Sequence, residues 1–186
     1  AAETTAGLRV AVWVGPTTLE LLDEAGKVVC RAEMPNATQR EGIVISRDGT
    51  RLASIWEDGT WNRLAVYDAT TGEQLAVCDG HRDFIFDLTF NPNGTQPASA
   101  SRDETACVWD ATTGALKAKF KGHKGSVASV AYHPRSECLV TASSDGTVRQ
   151  WDSQTAREIA PPFDQHHGSV GSAVYSPDGE YIASAG

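Results

Sequence analysis

Residues 80–110 read GHRDFIFDLTFNPNGTQPASASRDETACVWD, and residues 122–152 read GHKGSVASVAYHPRSECLVTASSDGTVRQWD, the same pattern displaced by 42 positions. Gly-His opens each copy and Trp-Asp closes it. His81 to Trp109 and His123 to Trp151 both span 28 residues. A fixed period of this size marks stacked supersecondary units, each of which buries its apolar face only against its neighbours.

Working outward, the period continues in weaker form. Turn-forming triplets recur at Arg47-Asp48-Gly49, Pro92-Asn93-Gly94, Pro134-Arg135-Ser136 and Pro177-Asp178-Gly179. Ala69-Thr70-Thr71-Gly72 reappears as Ala111-Thr112-Thr113-Gly114, and Tyr67-Asp68 stands one period before Trp109-Asp110. Gln165-His166-His167-Gly168-Ser169-Val170 echoes Gly122-His123-Lys124-Gly125-Ser126-Val127. Between the turns lie short runs with period-two alternation, such as 84–90, 98–101, 105–109 and 115–120, which predict strands. The outer run of the next repeat is expected at 157–159. No stretch carries a 3.6-residue apolar stripe.

Four short strands per repeat of about 40–45 residues, opened by Gly-His and closed by Trp-Asp, resemble the Trp-Asp (WD) repeat β-propeller family. The likeness is strongest over 79–152, clear over 163–186, partial over 30–78 and weak over 8–29. It implies an all-β chain, a β-propeller of four-stranded antiparallel blades, with about four to four and a half blades present. The expected organisation is a tail at 1–7, a partial blade of strands b, c and d at 8–32, and a divergent blade at 41–78. Two full repeats follow at 84–120 and 127–160, then a truncated blade of strands a and b at 170–186. The chain reads as a piece of a longer propeller with a blade cut at each end. The alternative is a small closed ring in which the run at 169–175 supplies the missing inner strand to the first blade.

Composition narrows the function classes. Net charge is −8, and the four lysines between Lys117 and Lys124 are scattered, so no basic face is expected for nucleic acid or an anionic membrane. No apolar run has the length of a membrane-spanning helix. Cys30, Cys78, Cys107 and Cys138 form no Cys-x-x-Cys pair, which argues against zinc and against a disulfide framework and fits a cytoplasmic setting. No metal or cofactor is expected.

Two polar sets repeat. His81, Ser99, Asp103 and Trp109 form one; His123, Thr141, Asp145 and Trp151 form the other. On paper each resembles a hydrolase triad, but a triad repeated in every unit makes no chemical sense. The family resemblance implies a structural network in which Asp holds His, His reaches the hydroxyl, and the hydroxyl faces the indole. His166 and Ser184 hold the matching places in the last repeat. The remaining expectation is a non-enzymatic scaffold that binds a protein or peptide on the loop face; the alternatives are a sensor domain of a larger signalling protein or enzyme, and a structural subunit of an assembly. Binding candidates are positions where the repeats differ or carry aromatics: Arg40, Arg82, Phe84, Phe86, Arg102, Lys124, Ser144 and His167, with Trp56 and Trp61 flanking an acidic turn. For Phe84, Phe86, Trp56 and Trp61, packing between blades is the competing reading. Self-association through cut blade edges is the further partner expectation.

Overall fold

The computed structural model describes residues 10–14, 18–23, 25–33, 40–57 and 62–186. Among these there is no helix, and all regular structure is antiparallel sheet. The first sheet holds β1 (Val10–Trp13), β2 (Thr18–Leu22) and β3 (Val28–Glu33). The second is a four-strand meander of β4 (Arg40–Ile45), β5 (Arg51–Glu57), β6 (Asn62–Asp68) and β7 (Gln74–Cys78). The third repeats it with β8 (Ile85–Phe90), β9 (Pro97–Ser101), β10 (Thr105–Trp109) and β11 (Leu116–Lys121). The fourth has β12 (Val127–Tyr132), β13 (Cys138–Ser143) and β14 (Val148–Asp152), and the last β15 (Ser172–Tyr175) and β16 (Ile182–Ala185). These are propeller blades. Their inner strands β4, β8, β12 and β15 stand side by side, each in contact with the next.

Turn chemistry explains the strand ends. Asp68, Asp110 and Asp152 each close a strand and turn the carboxylate back on the next loop. Each accepts two backbone N–H groups, from Thr70 and Thr71, Thr112 and Thr113, and Gln154 and Thr155 respectively. The turn after them presses on the preceding blade. A β-carbon at Gly114 would lie 2.3 Å from the Val77 carbonyl oxygen, and its φ of +73° already favours glycine.

The apolar cores lie between blades. One joins Ile55, Leu64 and Val66 of the second sheet to Ile85, Leu88, Cys107 and Trp109 of the third. Another joins Ala98, Val108 and Phe120 of the third to Val130, Tyr132, Leu139 and Trp151 of the fourth. The first and second sheets share Leu19, Leu21, Leu52, Ala65 and Tyr67. Every residue of β9 and β10 is buried, because both faces of a middle strand are covered by neighbouring blades. The small side chains Ala98, Ser99, Ala100 and Ser101 permit that close approach.

Two expectations are corrected. The outer run at 157–159 pairs with β14 as expected at one bridge, Trp151 to Glu158, but it does not continue as a strand, and contact with β14 resumes only at a second bridge, Val148 to Phe163. Pro161 and Pro162 between them have no N–H to donate, so the ladder is interrupted and resumes at Phe163. The small-ring alternative also fails, since the ladder partner of β15 is β16, while β1 pairs with β2.

Candidate functional site

Each repeated polar set is one hydrogen-bonded chain. In the third blade the Trp109 indole N–H donates to Ser99 Oγ at 2.9 Å, His81 Nε2 meets the same oxygen at 2.8 Å, and His81 Nδ1 meets Asp103 Oδ2 at 3.0 Å. The fourth blade repeats this with Trp151 on Thr141 Oγ1 at 2.8 Å, His123 Nε2 on Thr141 at 2.7 Å, and Nδ1 on Asp145 at 2.9 Å. An indole only donates and a carboxylate only accepts, so the polarity is fixed. With the ring carrying its proton on Nδ1, the hydroxyl receives the indole proton and gives its own to Nε2, and Nδ1–H donates to the carboxylate.

The aspartates clamp a second loop. Asp103 also accepts the N–H of Arg82 and of Thr105, and Asp145 those of Lys124 and Thr147. Burial opposes ionisation of both aspartates. The bonds from His81, Thr105 and Arg82, and from Thr147, Lys124 and His123, outweigh it and hold both carboxyls well below the usual range. Burial pushes the His123 pKa down against the pull of Asp145, in keeping with a neutral ring. The Ser99 and Thr141 hydroxyls are fully buried, each engaged by an indole on one side and an imidazole on the other. In the last blade His166 Nε2 lies 2.8 Å from Ser184 Oγ, at the wall of an open groove of about 410 Å³ lined also by Phe163, Tyr175 and Tyr181.

The binding candidates separate into groups. Arg82, Arg102, Lys124, Ser144 and His167 are exposed on the loop and turn face above the networks. Arg102 approaches Asp83 at 3.9 Å, and its N–H bonds the Phe84 carbonyl, so the Gly-His loop and the neighbouring turn are tied together. Phe84 is half-buried and Phe86 is 51% exposed. Trp56 packs against the core between the first two sheets. Arg40 opposes Trp56 in the β4–β5 ladder, but its side chain and the whole of Trp61 lie outside the described residues.

The reason for the exposure of Phe86 is a β-bulge. The β8–β9 register shifts between Ile85 and Asp87, leaving Phe86 as the extra residue. The same shift falls between Glu41 and Ile43 in β4 and between Val127 and Ser129 in β12, so Gly42 and Ala128 are the matching extra residues. Three bulges in register are part of the frame, but only one carries a large side chain.

Sequence reasoning missed the residue after the bulge. Asp87 Oδ2 accepts the N–H of Val130 in the next blade at 2.9 Å, and its Oδ1 accepts Leu88 N–H at 2.8 Å. One period later Ser129 Oγ accepts the N–H of Ala173 at 2.9 Å. These are staples between adjacent inner strands. The available signal was a polar residue at the same place in both repeats, within a run otherwise read only for its apolar alternation.

The model of the family "WD domain, G-beta repeat" matches residues 72–110, 114–152 and 159–186. No curated protein matches the chain. The three matched segments cover more than half of the sequence and hold both complete networks, and with the blades described above they show that this chain belongs to the WD-repeat family.

Proposed function

We propose that the chain is a non-enzymatic protein-interaction scaffold that engages a protein or peptide on the face formed by the Gly-His loops and adjacent turns. WD repeats generally mediate protein–protein interaction. The observation that carries the reading is Phe86, half-exposed at a bulge where the other inner strands have Gly42 and Ala128. An exposed aromatic on a rigid strand offers contact area at small entropic cost, and arginines beside it supply directional bonds. Arg82 precedes it in the same Gly-His loop and strand, and Arg102 is tied to that loop through the Phe84 carbonyl. The buried networks below, already satisfied, would hold the frame rather than bind. The free thiols of Cys78, Cys107 and Cys138 support a reducing, cytoplasmic setting.

The test is capture of partners by the immobilised chain and by a Phe86→Ala, Arg102→Ser variant, with circular dichroism to check the fold. Loss of captured proteins with the fold intact is expected. Equal capture by the variant would move the interaction to another surface.

A further inference from the structure

Phe86 and Asp87 depart from the repeat together. The matching pairs on the other inner strands are Gly42-Ile43, Ala128-Ser129 and, 43 residues on, Gly171-Ser172. Among the described inner strands only β8 sets a large aromatic and a carboxylate at this point. The bulge accounts for the exposure of Phe86 but not for the choice of these two residues.

The staple does not need a charge. Ser129 makes the equivalent bond to the next blade with a hydroxyl, at the same 2.9 Å. A carboxylate in that place carries a desolvation cost that a hydroxyl avoids, and burial raises the Asp87 pKa against the two backbone bonds that lower it. Among the described residues no salt bridge reaches Asp87, whereas Asp83, Asp103 and Asp110 have Arg102, Lys119 and Lys117 within 4.0 Å. Each Asp87 oxygen receives one backbone N–H, and a carboxylate oxygen accepts two bonds, so one acceptor site per oxygen remains. A half-buried carboxylate without an ion-pair partner, next in the strand to an exposed ring, is an arrangement that a cation completes.

Resting on the interaction reading above, we infer that the Phe86–Asp87 pair receives an arginine side chain from the partner, the guanidinium lying against the ring and bonding the carboxylate. A planar fork with several donors matches two oxygens that each have one acceptor site left, and it stacks on an aromatic face. The rim cations do not reverse this choice. Arg82, Arg102 and Lys124 are exposed and screened by water and salt, while Asp87 is shielded, so its charge counts for more per contact. The net charge of −8 also draws a basic partner in.

The experiment titrates the whole chain with Ac-Gly-Arg-Gly-NH₂, followed by amide chemical shifts in two-dimensional NMR. Three comparison peptides carry citrulline, lysine or glutamate in place of arginine. Arginine peptide binding that shifts the amides of 84–88 and 128–130 is expected. The citrulline and glutamate peptides should bind at least about fivefold more weakly, and lysine should fall between. Asp87→Ser retains a hydroxyl for the staple, as at Ser129, and should lose arginine affinity by about fivefold or more; Phe86→Ala should do the same. If Asp87→Ser fails to fold, Asp87→Asn keeps an acceptor and serves in its place. No binding of the arginine peptide, equal binding of citrulline or glutamate, or unchanged affinity in the Asp87 variant would each overturn the inference. Partner capture that still depends on Phe86 and Arg102 would then leave the interaction face standing without its arginine specificity.

Discussion

Replacing Thr141 by valine tests the hydrogen-bonded chain with little change of shape. The Thr141 hydroxyl serves two buried groups at once, the Trp151 indole N–H at 2.8 Å and His123 Nε2 at 2.7 Å. Trp151 is 2% exposed and His123 7%, so water cannot readily replace the lost partner. Each stranded polar group costs about 1–3 kcal/mol, which puts the substitution at about 2–6 kcal/mol. In a domain of this size, at about 2–4 °C per kcal/mol, that lowers the melting temperature by about 4–24 °C. Equilibrium urea unfolding, followed by Trp fluorescence and by circular dichroism, measures it. Coincident transitions justify a two-state treatment, which stacked repeats do not guarantee. The exposed Ser144→Ala is the control and should stay within about 0.5 kcal/mol. A cycle with Trp151→Phe isolates the link itself: the valine should cost about 0.5–3 kcal/mol less once the indole donor is gone. A cost under about 0.5 kcal/mol for Thr141→Val, or strict additivity in the cycle, would refute the view that the chain of bonds stabilises the blade.

Three further outcomes are expected. Stability should fall on acidification in two stages. His123 has a lowered folded pKa, so the unfolded chain takes up its proton first as pH drops through about 6.5. Asp103 and Asp145, also lowered, contribute stability that is present above about 3.8 and is lost below it; Asp87, raised, opposes this loss in the acid range, and denaturation midpoints between pH 8 and 3 would show the profile. Gly114→Ala should destabilise by well over 1 kcal/mol, because the new carbon would strike the Val77 carbonyl. Gly26→Ala, with φ +76° but nothing within 4 Å, should cost only the backbone strain of about 1 kcal/mol, a difference that thermal melts resolve. Burial pushes the Cys78 and Cys107 thiols up to about 12, so a thiol reagent at neutral pH should modify the half-exposed Cys138 well before either of them, and mass spectrometry of the digest would show the order.

The repeat, the blade architecture and the membership of both networks are legible in the linear chain. His81, Ser99, Asp103 and Trp109 recur at fixed spacing as His123, Thr141, Asp145 and Trp151 because each blade meets the same packing problem and solves it with its own residues. Local chemistry of that kind leaves a periodic trace. The features that single out one face leave none, since they depend on a neighbour. Asp87 has its role only because the backbone of β12 brings the Val130 N–H within 2.9 Å, and Phe86 is exposed only because the β8–β9 register slips by one residue at that place. For Trp56 the sequence leaves both a surface contact and packing between blades open, and the structure shows it partly buried against the core between the first two sheets. The outer run at 157–159 keeps the spacing of a fourth strand and meets β14, where Ile159 N–H donates to the Gln150 carbonyl, but Pro161 and Pro162 have no N–H with which to continue the ladder. Pattern therefore fixes which residues build each blade. Which side chains remain free for a partner is set by register and by the approach of adjacent blades, and both are properties of the packed chain.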